Sequence, residues 1–146
     1  MGYRSSVKAC VYGEAEKVEL YIVKHKMECA DKTVFKIFNE YNGVEDADPS
    51  IKIIEKEMMD WQDEPAEGQK RKTILYKIVD LELDDVKWYE GYEDVEAWEK
   101  FMNEAEDFGL MFEFVRVGES ADDVQTEQSV DNAGFVYPLV EIRCEY

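Results

Sequence analysis

Hydrophobic and polar positions alternate along residues 3–12, with Val7, Ala9 and Val11 on one side, and the run stops at Gly13. A period of two over that length predicts a β-strand. The period then changes. Across residues 14–29, Val18, Tyr21, Ile22, His25 and Cys29 share one stripe of a helix, since residues three and four apart lie on one face. Residues 33–41 return to β character through Val34, Phe35, Ile37 and Phe38, and Asn42-Gly43 ends them. Asp48-Pro49-Ser50 reads as a helix cap with proline at the first helical position. Ile51, Ile54, Met58 and Trp61 follow at helical spacing, although Ile51 and Ile53 also suit a strand.

Residues 73–83 form a long apolar run with Leu75, Val79, Leu81 and Leu83 on one face and Ile74, Tyr76 and Ile78 on the other. Apolar on both faces, it predicts a strand inside the sheet. Residues 92–108 give the clearest helix, burying Val95, Trp98, Met102 and Ala105, with Gly109 as its C-terminal stop. A strand over 110–117 follows, then an acidic connection from Gly118 to Gly134. A last strand spans 135–146, with Val140, Ile142, Cys144 and Tyr146 alternating with Glu141, Arg143 and Glu145. The predicted order is β-α-β-(α)-β-α-β-β. It implies an α+β fold: a mostly antiparallel sheet with helices packed on one face, a ferredoxin-like core plus an inserted helix and an extra C-terminal strand. Without repeats or low-complexity linkers, residues 1–146 read as a single acidic domain, long enough to bury its own core.

Charge changes the picture. The net charge is −18, and it is unevenly spread: acids against bases number 15 to 13 over residues 1–79, 18 to 3 over 80–131, and 2 to 1 over 132–146. Only Lys87, Lys100 and Arg116 oppose the middle block. The expectation is one strongly negative side of the molecule. Direct nucleic-acid binding is excluded as a class, because phosphate contacts require Lys and Arg. The natural partners of such a surface are basic proteins or metal cations. No apolar run approaches the roughly 20 residues of a membrane span, so no membrane partner is expected. Three cysteines, Cys10, Cys29 and Cys144, with no CxxC spacing, fit free thiols in a reducing compartment.

Candidate chemistry is sparse. His25 and Cys29, four apart on one helical face, could hold two metal ligands or a nucleophile pair, but no second ligand pair is visible. A core histidine beside a thiol is the plainer reading. The paired acids Asp84-Asp85, Glu93-Asp94, Glu106-Asp107 and Asp122-Asp123 match no cation-binding template. Phosphate-binding glycine loops and nucleophile elbows are absent. No catalytic residue, metal or cofactor is therefore assigned, and the chain reads as a non-enzyme. Candidate partner-binding residues are Asp84, Asp85, Glu93, Asp94, Glu96, Glu99, Glu106, Asp107, Asp122 and Asp123. Glu96, Glu99, Asn103 and Glu106 are expected opposite Val95, Trp98 and Met102. Three carboxylates over about 15 Å of helix approach the one phosphate per roughly 3.4 Å of a DNA strand only with flanking acids added. A second row would come from residues 119–131 or from a second subunit, so a dimer is one option. The aromatic cluster Trp88, Tyr89 and Tyr92 offers an alternative platform for a small ligand such as a nucleotide signal, for which Arg4, Lys70, Arg71, Lys72 and Lys87 are the nearest bases.

Met1-Gly2-Tyr3-Arg4-Ser5, Val86-Lys87-Trp88-Tyr89 with Tyr92-x-Asp94-Val95, and Glu113-Phe114-Val115-Arg116 with Gly118-Glu119 and Asp122-Asp123 resemble small uncharacterised phage and prophage proteins. Residues 44–72 look like an insertion relative to them. The resemblance brings no reaction and no site residue. It implies a setting, the cytoplasm of a bacterial host. In that setting the acidic surface is expected to occupy a nucleic-acid-binding host protein, as an inhibitor in defence or replication and a candidate mimic of nucleic acid.

Overall fold

The computed structural model describes residues 5–39, 50–60, 64–89, 91–119, 123–129, 134–138 and 142–144. Strand β1 (Ser5–Glu14) leads into helix α1 (Ala15–Cys29), a 3-10 turn (Ala30–Lys32) and a short helix α2 (Val34–Asn39). Then come β2 (Ile51–Met59), β3 (Thr73–Val86), α3 (Glu93–Asp107), β4 (Met111–Val117), β5 (Val124–Gln128), β6 (Val136–Pro138) and β7 (Ile142–Cys144). The main sheet runs β2-β3-β1-β4-β5, every neighbour antiparallel. Its first four strands have the ferredoxin-like order, with α1 and α3 as the two crossovers. The fold class expected from the pattern is the one observed.

β1 is the middle strand, and it is buried without a break from Ala9 to Gly13. Alternation therefore feeds two cores. Val7, Ala9 and Val11 meet Val79, Leu81, Phe112 and Phe114 beneath the helices, where Val18, Tyr21, Trp98, Phe101 and Met102 close over them. Cys10, Tyr12, Ile78 and Val115 face the other way, onto Phe135. Each such apolar side chain contributes about 1.5–3 kcal/mol on burial. The C-terminal stop of α3 is as expected: Gly109 has φ +91, and Leu110 N–H donates to Ala105 O at 2.9 Å, a six-to-one closure that needs a left-handed residue.

Four stretches differ from the sequence reading. Residues 34–39 are helical, not a strand. Thr33 caps them, its Oγ1 accepting from Lys36 N–H at 3.3 Å, and Val34 and Phe38 bury one helical face. Residues 51–59 are an edge strand instead of a helix, paired with β3 along their whole length. Ile51 and Ile53 face the helix side, while Ile54 and Met58 face the second core. That stretch lies within residues 44–72, so the segment read as an insertion supplies an edge strand of the main sheet. Finally, the acidic connection holds β5, and the last strand is two, β6 and β7, paired with each other. The inserted helix is thus α2, and the added strand of the main sheet is β5.

A groove and an acidic helix at one edge of the sheet

Two helices cannot cover five strands. At the β5 edge the sheet extends beyond α3 and leaves a groove of about 650 Å³. Val95, Glu99, Met102 and Asn103 of α3 form one wall; Arg116, Asp123, Gln125 and Glu127 form the other, with Trp88, Tyr89 and Phe112 between them. Arg116 is fully engaged. Its guanidinium donates to both Asp123 oxygens at 2.7 and 3.0 Å, to Gln125 Oε1 at 3.2 Å and to Ser5 Oγ at 3.1 Å. This forked pairing fixes Asp123 at the start of β5. Asp123 is consequently a structural anion and no free part of an acidic face.

Outside the groove, α3 carries Glu93, Glu96, Glu106 and Asp107 exposed to water. Its last turn has no basic residue, although Glu104, Glu106 and Asp107 sit there, where the helix dipole disfavours negative charge. Lys100 reaches Glu104 at 3.9 Å, and Glu93 is 3.9 Å from Lys32. Among the described residues no base pairs with Glu96, Glu106 or Asp107. Glu99 departs from expectation: it turns toward the groove and is half-buried. One residue adds about 100° to a helix, which places Glu96, Asn103 and Asp107 opposite the core and Glu99 and Glu106 on a flank.

The acidic block does not form one side. Asp80, Glu82 and Asp84 point from β3 to the face away from the helices. There Lys8 holds Asp80 at 2.9 Å and Glu82 at 3.4 Å, and Ser6 Oγ donates to Asp84 at 2.7 Å. Glu113 is buried, accepting from Tyr12 Oη at 2.6 Å. Strand alternation has split a contiguous sequence block between two faces. Asp84 therefore lies apart from α3. Asp94, in the first turn of α3, turns back on its own backbone and accepts from Val95 N–H at 2.9 Å. Asp122 lies outside the described residues, as does the Asp85 side chain.

The aromatic cluster divides as well. Trp88 belongs to the core, stacked on Phe38 and tilted against Phe114. Tyr89 is half-buried and meets the exposed Tyr92 edge-on, at a centroid distance of 5.3 Å. Tyr92 opens onto a second groove, of about 950 Å³, where Lys32, Lys36 and Ile37 face Glu93 and Asp94. Three of the five bases expected near a phosphate ligand lie far from these rings. Lys70, Arg71 and Lys72 precede β3, whose 14 residues separate them from Trp88, about 45 Å at the usual strand rise. Arg71 instead donates to Asp60 O at 3.0 Å. Arg4 lies outside the described residues.

His25 has a structural task that the sequence did not reveal. Its Nε2 accepts from Val34 N–H at 3.1 Å, so it satisfies one of the free donors at the start of α2. With Nε2 an acceptor, the neutral ring carries its proton on Nδ1 and donates toward Cys29 Sγ at 3.5 Å. The ring cannot then take a proton from that thiol at Nδ1, which removes the nucleophile-pair reading. Burial holds its pKa below the usual histidine value, and Glu28 opposes that shift. Among the described residues no three His, Cys, Asp or Glu side chains gather to hold a metal ion. No described helix is long and apolar enough to cross a membrane. Comparison with known proteins finds no family model, no curated sequence and no solved structure that matches this chain.

Proposed function

We propose that this chain is a non-enzymatic binding protein that inhibits or modulates a basic, nucleic-acid-binding host protein through the outer face of α3. One observation carries the reading. Glu96, Glu106 and Asp107 stand exposed on one helix, two of them at the end where the helix dipole works against them. A local cost of that kind is expected where function overrides stability. Between Glu96 and Asp107 the helix rises about 16 Å, which suits contact along one nucleic-acid strand's worth of basic groups. The resemblance to phage proteins supports a bacterial host as the setting. The alternative, sequestration of a nucleotide signal, retains Tyr89 and Tyr92 but loses Trp88 to the core, and the bases in the groove at Tyr92, Lys32 and Lys36, stand against Asp31, Glu93 and Asp94.

The test uses host proteins captured on the immobilised chain, each purified and bound to labelled duplex DNA. The chain should displace the DNA from its partner. The triple variant Glu96→Gln, Glu106→Gln, Asp107→Asn should associate more slowly and with less salt dependence. A triple variant with wild-type association kinetics at low salt would remove α3 from the interface.

A further inference from the structure

The edge of the helix layer opposite the groove has a different chemistry. Helix α1 buries Val18, Tyr21, Ile22 and His25, yet its far side carries Leu20, Val23 and Met27, exposed by 63%, 54% and 80%. At 3.6 residues per turn these three fall within about 60° of one another. They form a continuous apolar stripe pointing straight into solvent. Ile53 and Leu75, on the helix-bearing face of β2 and β3, are exposed as well. They flank Lys77, which ties the sheet to α1 through Glu19 at 2.6 Å. In a chain with a net charge of −18, this side is both the most apolar and close to charge-balanced: α1 itself holds Glu16, Glu19 and Glu28 against Lys17, Lys24 and Lys26.

We infer that this stripe is a self-association surface, on which a second copy of the chain packs its own α1 antiparallel about a two-fold axis. The charges select that occupant. In an antiparallel symmetric pair each flank of the helix meets the same flank of its copy. Placing the axis between Ile22 and Val23 sets Leu20 of one copy opposite position 25 of the other, in the gap between Val23 and Met27 of its stripe. That same register brings Glu19 beside Lys26 of the second copy on one flank, and Lys17 beside Glu28 on the other. Each pair occurs twice by symmetry. One register thus satisfies the apolar stripe and both flanks together. Glu19 and Glu28 already have intramolecular partners, Lys77 and Lys24, and a carboxylate accepts from more than one cation.

Repulsion points the same way. Docking through α1 leaves the acidic outer face of α3 outside the contact, whereas docking through α3 would press two acidic helices together. The patch is smaller than the roughly 800 Å² per partner of a standard interface, so the dimer is weak and reversible. Its salt response is opposite to that of a basic partner: screening eases repulsion between two highly negative copies and tightens the dimer. The pair would present two acidic helices, which gives a bivalent binder when the target has two sites.

Sedimentation equilibrium on the purified chain tests this. Wild type should pass from monomer to dimer at roughly tens to hundreds of micromolar, with the midpoint moving to lower concentration as NaCl rises. Val23→Glu should abolish the dimer while circular dichroism shows an intact fold, since the side chain is exposed. Lys26→Glu should weaken association about tenfold by placing two carboxylates together twice, and Glu19→Lys with Lys26→Glu should restore it at unchanged net charge. Lys52→Glu, on the other face of β2, makes the same charge change as Lys26→Glu and should leave the dimer nearly as it was. A monomer at every concentration, open-ended assembly, a dimer indifferent to Val23→Glu, or a double variant that fails to recover would each overturn the inference.

Discussion

The two edges of the helix layer are exposed for one reason and differ in everything else. A five-stranded sheet is wider than two helices, so its inner face emerges beside α3 at β5 and beside α1 at β2. Beside α3 the emerging face is polar, closed by the Arg116–Asp123 pair and walled by Glu99 and Glu127. Beside α1 it is apolar, with Ile53 and Leu75 exposed on the sheet and Leu20, Val23 and Met27 exposed on the far side of the helix. The comparison teaches that the fold creates ledges without deciding what they bind. The side chains on each ledge set its character: acids and one arginine line the groove beside α3, and exposed apolar side chains line the α1 edge.

The comparison breaks most visibly if the shared core fails. Trp98→Ala should cost about 3–5 kcal/mol, because Trp98 is fully buried against Phe38 and Phe101. Chemical denaturation would measure it. A loss below about 1 kcal/mol would mean α3 is not anchored as described and its acidic face has no fixed geometry.

The α1 side has its own internal tie, and the next effect falls there. His25→Phe should destabilise by about 1–3 kcal/mol, leaving Val34 N–H buried without its acceptor. The same residue sets a pH response. Its folded pKa is depressed, so the unfolded chain binds the proton first, and stability should fall as pH drops below about 6.5. Melts between neutral and mildly acidic pH should show the decline in wild type and a shallower one in His25→Phe. An identical slope in both would clear His25 of that role.

Ala30 ends α1 with φ +49, the one non-glycine residue with positive φ among those described. Ala30→Gly should therefore stabilise by about 0.5–1 kcal/mol. A loss of stability would show that a contact of the methyl group outweighs its backbone strain.

The smallest effects sharpen the comparison best. Converting Glu96, Glu106 and Asp107 to amides should raise the melting temperature slightly at low salt and lose that advantage at high salt, since the change relieves repulsion. Leu20→Lys should alter monomer stability by less than about 0.5 kcal/mol. If Leu20→Lys unfolds the protein, the stripe is a packing surface of the monomer and the contrast between the two edges dissolves.

Much of this was legible in the chain. β1, α1, β3, α3 and β4 carry long, clean periods, and Gly109 stops α3 as its position suggested. The errors have physical causes. Residues 34–39 are rich in β-branched and aromatic residues, but Thr33 supplies a cap and His25 accepts the Val34 N–H. The Thr33 cap and the Val34–Phe38 spacing were readable; the histidine contact, nine residues away, was not. Residues 51–59 sit on a sheet edge, where both faces are half exposed and the period-two signal fades. β5 has no apolar alternation at all, and only its ladder to β4 makes it a strand. Of the acidic site, Glu93, Glu96, Glu106 and Asp107 were found as exposed groups, whereas Asp84, Asp94, Glu99 and Asp123 had other duties.

The sequence by itself determined the fold class, the inward face of each long element and the excess of acid, because these rest on local periodicity and composition. Tertiary structure alone decided which acids share a surface. Alternation sends neighbouring residues of β3 and β4 to opposite sides of the sheet, and pairing then neutralises some of them. It also decided that Leu20, Val23 and Met27 stay exposed. A helix with apolar residues on two sides does not say which side will meet the sheet; that follows from where Val18, Tyr21 and Ile22 find β1 and α3, and the other stripe is left to solvent.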